Sequence, residues 1–457
     1  MSFAPGPSFT ALILASGFLF IGLSRPLYAG VYGALLVVWL AVAAVGGLFR
    51  RRRVLARPDR QGSTPRRLAL IAGFCCYVLF SALVLLQIGS AVHPILFDAP
   101  LSAGDYVGFN LDLSIFVALA NLLLIHAGYR QVRGTRDFDR FFKTYFAAIS
   151  IIWHLSFLIW LIEDNAVLLH YSEWSSSVFS GPLSNANHAG MVSVIAAAFY
   201  ALQIIQVDHR GQPIPALASD KRTLLYLAQS LVFSYYALTS GSLMVYLIFS
   251  AIAGLLIFNV LSDRVRHHLL WISAAASIIL GGLYFVLLFG ADEGLLPMAS
   301  FLDRQIIARE ALPFIVDRPW LGYGTGSVYS ALVGRSIEAI PDLIFLSAHN
   351  YYLDFLLQYG IPGFAAAFLG VFGIPMACLI GFSRRARNIS PLGLAIWILW
   401  LVVLISSLTD FGLAIPSISM LLCFLTGAIY RVIIQDGAPL FQQEGSAAAG
   451  GQDTRIT

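Results

Sequence analysis

Apolar runs of about twenty residues, the length that crosses about 30 Å of hydrocarbon as a helix, recur along this chain from residue 9 to residue 434. That recurrence predicts an all-α fold, a polytopic transmembrane helical bundle. Spans are expected at 9–24, 28–49, 67–88, 106–127, 141–162, 187–206, 223–239, 242–261, 268–289, 352–382, 391–410 and 413–434, twelve in all. The first is short and the tenth is long enough to tilt. The seventh and eighth meet at a tight turn, Ser240-Gly241. Composition agrees: 58% of the 457 residues are hydrophobic and 11% charged, against about 25% charged in a soluble domain. Met1 to Ser8 lacks the positive start of a cleaved signal peptide, so the first run is expected to be retained as a helix. Cys75, Cys76, Cys378 and Cys423 all fall inside apolar runs and read as small buried hydrophobes, not as a disulfide framework or metal ligands.

The charges orient the bundle. Of the 28 Lys and Arg residues, 23 fall on alternate connections: Arg50 to Arg67, Tyr129 to Lys143, Asp208 to Arg222, Asp263 to His268, Ser383 to Asn388 and the C-terminal end. Cytoplasmic loops carry the Lys and Arg excess, so both termini are expected in the cytoplasm. The remaining cations are Arg25, Arg304, Arg309, Arg318 and Arg335, and the last four share one polar island, residues 290–351. That island is expected to face outward as a large loop containing short helices. Residues 1–434 then read as one transmembrane domain, and 435–457, rich in Gly, Ala and Gln, as a disordered cytoplasmic tail. No repeat period is visible, nor a matched pair of broken helices of the kind that marks inverted-repeat transporters.

Of the outward segments, 89–105 reads as an ordinary loop. The segment 163–186 runs through Ser184-Asn185-Ala186-Asn187-His188 straight into a helix, where Asn187 is expected as the N-cap. In the island, Asp303 to Leu312 has apolar residues at helical spacing and predicts a surface helix. Arg304 and Arg309 lie five residues apart, about 140° around that helix, so they cannot share one exposed stripe. A guanidinium grips phosphate through two parallel hydrogen bonds and stays charged, which makes Arg304 a candidate anion ligand. The glycines of Pro319-Trp320-Leu321-Gly322-Tyr323-Gly324-Thr325-Gly326 permit a sharp turn after Pro319 and follow no strand, so they are not a nucleotide loop. His349 precedes a long helix. It reads either as a polar boundary residue, with Asn350 as helix cap, or as a general base, since imidazole titrates near neutrality.

These residues resemble a known family. Pro319-x-x-Gly322-x-Gly324-x-Gly326, then Ala348-His349-Asn350-x-Tyr352-Leu353, then Tyr359-Gly360-Ile361-Pro362-Gly363 resemble the signature of O-antigen ligases and polysaccharide polymerases. Arg304 matches the arginine that opens that region, and Asn185-Ala186-Asn187 is similar to the family's Asn-Pro-Asn. The resemblance implies an inverting, metal-independent glycosyltransferase of the bacterial inner membrane that needs no cofactor. It would move glycan from undecaprenyl diphosphate to an acceptor glycan or glycolipid at the periplasmic face. On that likeness His349 is the base and Arg304 a diphosphate ligand, with Asn187 and Asn350 at the substrate site. The family's Ser-Arg after a mid-chain threonine is missing from Leu238-Thr239-Ser240-Gly241-Ser242. The second phosphate contact therefore falls to Arg309, Arg318 or Arg335. Expected partners are the lipid-linked glycan, its acceptor, the bilayer and other polysaccharide assembly proteins, with no nucleic acid.

Two other readings stand beside the enzyme. A flippase for lipid-linked sugars would line a path with intramembrane polar groups, for which only His154, Asp112 and Asp410 are candidates. An inactive homologue would bind the glycolipid without transferring it.

Overall fold

A computed structural model describes residues 7–21, 36, 38, 64–89, 104–162, 179–183, 185–207, 213–215, 221–261, 299–324, 327–328, 348–383, 391–409, 413 and 415–435. The predicted spans 28–49 (Leu36 and Val38 excepted) and 268–289, and the tail from 436, lie outside the described residues. The other ten predicted spans coincide with helices. In chain order these are α1 (Pro7–Ile21), α2 (Thr64–Gly89), α3 (Gly104–Gln131), α4 (Thr135–Ile162), α5 (Ala186–Ile204), α6 (Lys221–Thr239) and α7 (Leu243–Leu261). The island contributes α8 (Ala299–Asp317). After it come α9 (Tyr351–Phe368), α10 (Ile374–Ser383), α11 (Pro391–Thr409) and α12 (Pro416–Ile429). A π-helical turn, Leu369–Gly373, joins α9 to α10, and another, Tyr430–Gln435, extends α12. The expected all-α fold is found with one addition: Ile205–Val207 and Pro213–Pro215 pair as a small antiparallel hairpin between α5 and α6.

Among the described residues, four helical stretches are long and apolar enough to cross a membrane: Leu68–Leu86, Thr135–Ile162, Ala186–Ile204 and Tyr351–Cys378. Pro7–Phe18, Met244–Ala253, Gly393–Leu408 and Ser417–Val432 are shorter apolar helices. Their surfaces show what solvent they suit. On α4, Phe138, Phe142, Phe146, Ile149 and Trp153 are buried, while Ile151, Leu155, Leu158 and Ile162 form an exposed stripe at helical spacing. On α2, Leu68, Ile71, Phe74, Val78 and Leu85 are exposed in the same way. Soluble monomers rarely expose apolar area on this scale; hydrocarbon is its natural neighbour.

Inside the bundle, aromatic rings and small residues do the packing. Phe146 stacks on Phe199 of α5 at 4.3 Å, and Phe141 on Phe424 of α12 at 4.5 Å between centroids. Where α3 crosses α12, Gly128 lies against the Phe424 carbonyl and Gly427 against the Ile125 carbonyl, so close that a Cβ at either would meet backbone. Small residues at such crossings let helices associate through van der Waals contact when lipid offers no hydrophobic drive. Hydrogen bonds between helices add to this: Trp153 Nε1 donates to Ser193 Oγ at 3.1 Å, and the Ser150 and Tyr200 hydroxyls meet at 2.7 Å. Each such bond is worth about 0.6 kcal/mol in a membrane.

Candidate functional site

Three of the sequence motifs meet at one end of the bundle. α5 and α6 run antiparallel, with Ser230 Oγ donating to the Ala197 carbonyl at 3.0 Å midway and Gly190 packed on Ser240 at the end. The tight turn after α6 is found as expected, with Gly241 at φ 65°. Next to it, the Phe179 amide donates to the Thr239 carbonyl. From α5 the contacts pass to α11, where Ser406 Oγ meets Met191 Sδ, and from α11 to α9, where the Tyr352 hydroxyl donates to the Leu404 carbonyl at 2.8 Å. The starts of α5 and α9 and the α6–α7 turn are thereby gathered on one face of the protein.

At the start of α5 the expected cap is corrected by two residues. Asn185, not Asn187, caps the helix: its Oδ1 accepts the Asn187 amide at 2.8 Å, and its carbonyl accepts the Ala189 amide at 3.1 Å. An N-cap side chain reaches the amides two or three residues ahead. Asn187 is the second helical residue and is half-buried, whereas His188 is buried at 3% exposure.

At the start of α9 the cap is the expected one. Asn350 Oδ1 accepts the Tyr352 amide at 3.0 Å and the Leu353 amide at 3.3 Å. Sequence reading missed the residue that completes this corner, Asp354. Its Oδ1 reaches back across His349 to accept the buried Ala348 amide at 2.7 Å, and its own amide donates to the Asn350 carbonyl at 3.0 Å. The carboxylate is 3% exposed and sits in the first turn, where the helix dipole favours negative charge. An acidic residue four positions after an asparagine cap, opening an apolar helix, was the available signal. Between these two anchors His349 takes φ 49°, the sole positive φ at a non-glycine among the described residues. Left-handed backbone costs a side-chain-bearing residue about 1–2 kcal/mol, so the corner must be held from both sides.

Below His349, α9 is interrupted. Gly360 has φ 65° and ψ −176°, a conformation open in practice to glycine alone. The hydrogen-bond count across the break explains how the glycine-rich turn docks there. In an unbroken helix the Leu357 carbonyl would take the Ile361 amide and the Gln358 carbonyl the amide of residue 362. Residue 362 is proline and has no N–H. The Ile361 amide donates instead to the Pro319 carbonyl at 2.7 Å. Both freed carbonyls are met by the turn, Leu357 by the Tyr323 amide at 2.7 Å and Gln358 by the Gly324 amide at 3.0 Å. Gly322, with φ 63°, and Gly360 allow this approach, since a Cβ on either would come within 2.7 Å of the opposing backbone. The Pro-x-x-Gly-x-Gly turn and the Tyr-Gly-Ile-Pro-Gly break are thus the two halves of one backbone interlock. Thr325 and Gly326 lie outside the described residues.

The interlock sets α8 beside α9. Ile307, Ala308, Ala311, Tyr323, Val328, Ala348, Leu353 and Leu357 form one buried cluster. The C-terminal end of α8 lies at the break and its middle at Ala348 and Leu353, so the two helices are antiparallel. From Asp317 back to Arg304 the helix rises about 20 Å, and from Gly360 back to His349 about 16 Å. This register carries the Arg304 position toward the end that holds His349. Arg304 stands one turn before Ile307 and Ala308 on α8; its side chain lies outside the described residues, as does Arg335. Arg309 is exposed on the opposite side of the helix. Arg318 lies over the Tyr323 ring at 4.8 Å and 3.9 Å from Asp317, whose carboxylate also accepts the Tyr323 hydroxyl at 2.8 Å.

Of the intramembrane polar residues, Asp410 and the Asp112 side chain lie outside the described residues. His154 has both ring nitrogens engaged, Nδ1 with the Tyr236 hydroxyl and Nε2 with Gln229 Oε1, each at 2.9 Å. Because the amide oxygen can only accept, Nε2 is the donor in that bond. This histidine ties α4 to α6. Among the described residues no three His, Cys, Asp or Glu side chains gather, so none is assigned to a metal.

No curated protein matches the chain by sequence. The O-antigen ligase family model matches residues 228–368, a stretch that runs from α6 through the interlock to the end of α9. The match supports a glycosyl-transferring membrane protein that uses a lipid-linked glycan and an acceptor. The family model lies over the residues that form the turn, the His349 corner and the helix break, so in this stretch the chain is similar to the O-antigen ligase family.

Proposed function

We propose that this chain transfers glycan from undecaprenyl diphosphate to an acceptor hydroxyl at the periplasmic face of a bacterial inner membrane, with both termini in the cytoplasm. The observation that carries the reading is the His349 corner, held left-handed between the Asp354-bound Ala348 amide and the capping Asn350. Strained non-glycine backbone clusters at functional sites, where surrounding bonds over-determine it. In the reaction the His349 imidazole takes the proton of the acceptor hydroxyl as its oxygen attacks the anomeric carbon. The bond from that carbon to the phosphate oxygen breaks on the opposite face, giving inversion and free undecaprenyl diphosphate. No metal enters this scheme. The departing charge falls to guanidinium groups, the role in which fixed donors contribute most to a transition state. Arg304 is assigned first. Of the described arginines, Arg309 is exposed on the far side of α8 and Arg318 is paired with Asp317 at the break, about 16 Å along α9 from His349, so neither is assigned the second contact. Asn187 is assigned to substrate, because Asn185 performs the capping.

A flippase is the competing reading. The engagement of both His154 nitrogens in helix–helix hydrogen bonds weighs against it. Deleting the gene and analysing lipid-linked saccharides separates the readings. A polymerase leaves single repeats on the lipid at the periplasmic face, and a ligase leaves long chains there. Saccharides trapped on the cytoplasmic face indicate a flippase, and an unchanged lipid-linked pool overturns the transferase.

A further inference from the structure

Charge counting puts residues 290–351 on the outer side of the membrane, and the interlock ties the glycine-rich turn to the break in α9, inside the apolar stretch Tyr351–Cys378. Helix length fixes the depth of that break. Between Gly360 and the Arg384-Arg385 pair lie roughly 23 residues, apolar except for Ser383, a rise of about 35 Å. The hydrocarbon core is about 30 Å thick and helices tilt on average about 20°. Arginines are costly inside the core, so with Arg384 and Arg385 at one boundary Gly360 stands near the other. The turn stands at the same depth, because the Pro319 carbonyl holds the Ile361 amide at 2.7 Å.

The exposed side chains there suit that depth. Trp320 is 71% exposed, Leu321 46% and Val316 76%, and they adjoin Ile361 of α9 at 51%. Water would be a poor neighbour for such a group, and tryptophan concentrates where headgroups meet hydrocarbon. We infer that the turn Pro319–Gly324 is a membrane anchor: Val316, Trp320 and Leu321 seat in the headgroup–hydrocarbon boundary of the leaflet at the N-terminal end of α9. Lipid is the occupant of this surface, because Ile361 makes it continuous with the face of a membrane-crossing stretch. The inference goes beyond glycan transfer and stands on the spans alone. Its consequence is a turn pinned in depth at the break, where the two arms of α9 fold toward each other and bring the Tyr352 ring within 6.2 Å of the Phe368 ring.

The test reads depth directly and needs no activity. A Trp320→Cys chain, with the four native cysteines replaced, carries an environment-sensitive fluorophore in phosphatidylcholine nanodiscs. The same probe at exposed Arg133, in the basic connection between α3 and α4, is the comparison. Quenching by lipids with a nitroxide near the top of the acyl chain should be several-fold stronger at 320 than at 133, and iodide quenching weaker. A lipid-to-iodide ratio at 320 equal to or below that at 133 overturns the inference. Should the cysteine-free chain fail to fold, Trp320→Phe in the native chain serves instead. It should remove part of the intrinsic fluorescence quenched by brominated lipid, and brominated-lipid quenching left unchanged overturns the inference equally.

Discussion

The Asp354 carboxylate accepts the Ala348 amide at 2.7 Å across the intervening His349, so one buried side chain spans the corner that carries the candidate base. A charge-assisted bond of this kind is worth about 1.5–3 kcal/mol, enough to offset the left-handed backbone at His349, about 1–2 kcal/mol. Asp354→Ala removes the acceptor and leaves a buried N–H unmet. Turnover should fall at least tenfold while the Michaelis constant for the lipid-linked donor changes little. Asp354→Asn keeps an acceptor oxygen and should recover part of the loss. Steady-state transfer by both variants checks this, and full turnover in Asp354→Ala means that the clamp does not position His349.

The interlock predicts unequal costs for single methyl groups. Gly360→Ala and Gly322→Ala each place a Cβ against backbone at a positive φ, which adds contact strain to about 1–2 kcal/mol of conformational cost. Both should open the turn to limited proteolysis and lower the melting temperature. At Gly134 a Cβ meets nothing within 4 Å, and alanine there should be neutral. Comparable protease sensitivity in all three variants would show that the turn is not held by this contact.

His349 and His188 should separate chemistry from packing. Removing a general base costs about 10²–10⁴ in rate, so His349→Ala should abolish transfer with little change in melting temperature or donor binding. His188 is buried at 3% exposure, and His188→Ala should instead lower the melting temperature and leave turnover per folded molecule much less affected. Transfer within a fewfold of wild type in purified His349→Ala moves the base elsewhere.

Arg304→Lys keeps the charge and loses the two-pronged grip on phosphate. Each lost charge-assisted contact is worth about 1.5–3 kcal/mol, roughly ten- to a hundredfold. Donor binding or turnover should drop by that factor with the protein still in the membrane. A lysine variant with unchanged kinetics assigns the diphosphate to other cations.

The sequence by itself determined what depends on neighbours within a turn or two. Apolar run lengths located α2, α4, α5 and α9, because hydrocarbon imposes one length on every span. The glycines announced bends at Ser240-Gly241 and after Pro319, and Asn350 announced its own capping role. Pro362 has no N–H, so the Gln358 carbonyl lacks the helical partner four residues ahead. Only the tertiary structure decided which partner: the Gly324 amide arrives from 34 residues earlier in the chain, and no local pattern encodes that meeting. The same holds for the cap of α5, where Asn185 and Asn187 are equivalent by residue type and the helix start alone favours Asn185. It holds for Asp354, an acid that composition reads as one more charge until the fold places its carboxylate over His349. Local preference is fixed within a few bonds along the chain. A distant contact exists only when packing elsewhere makes it the least costly place for a freed polar group to go.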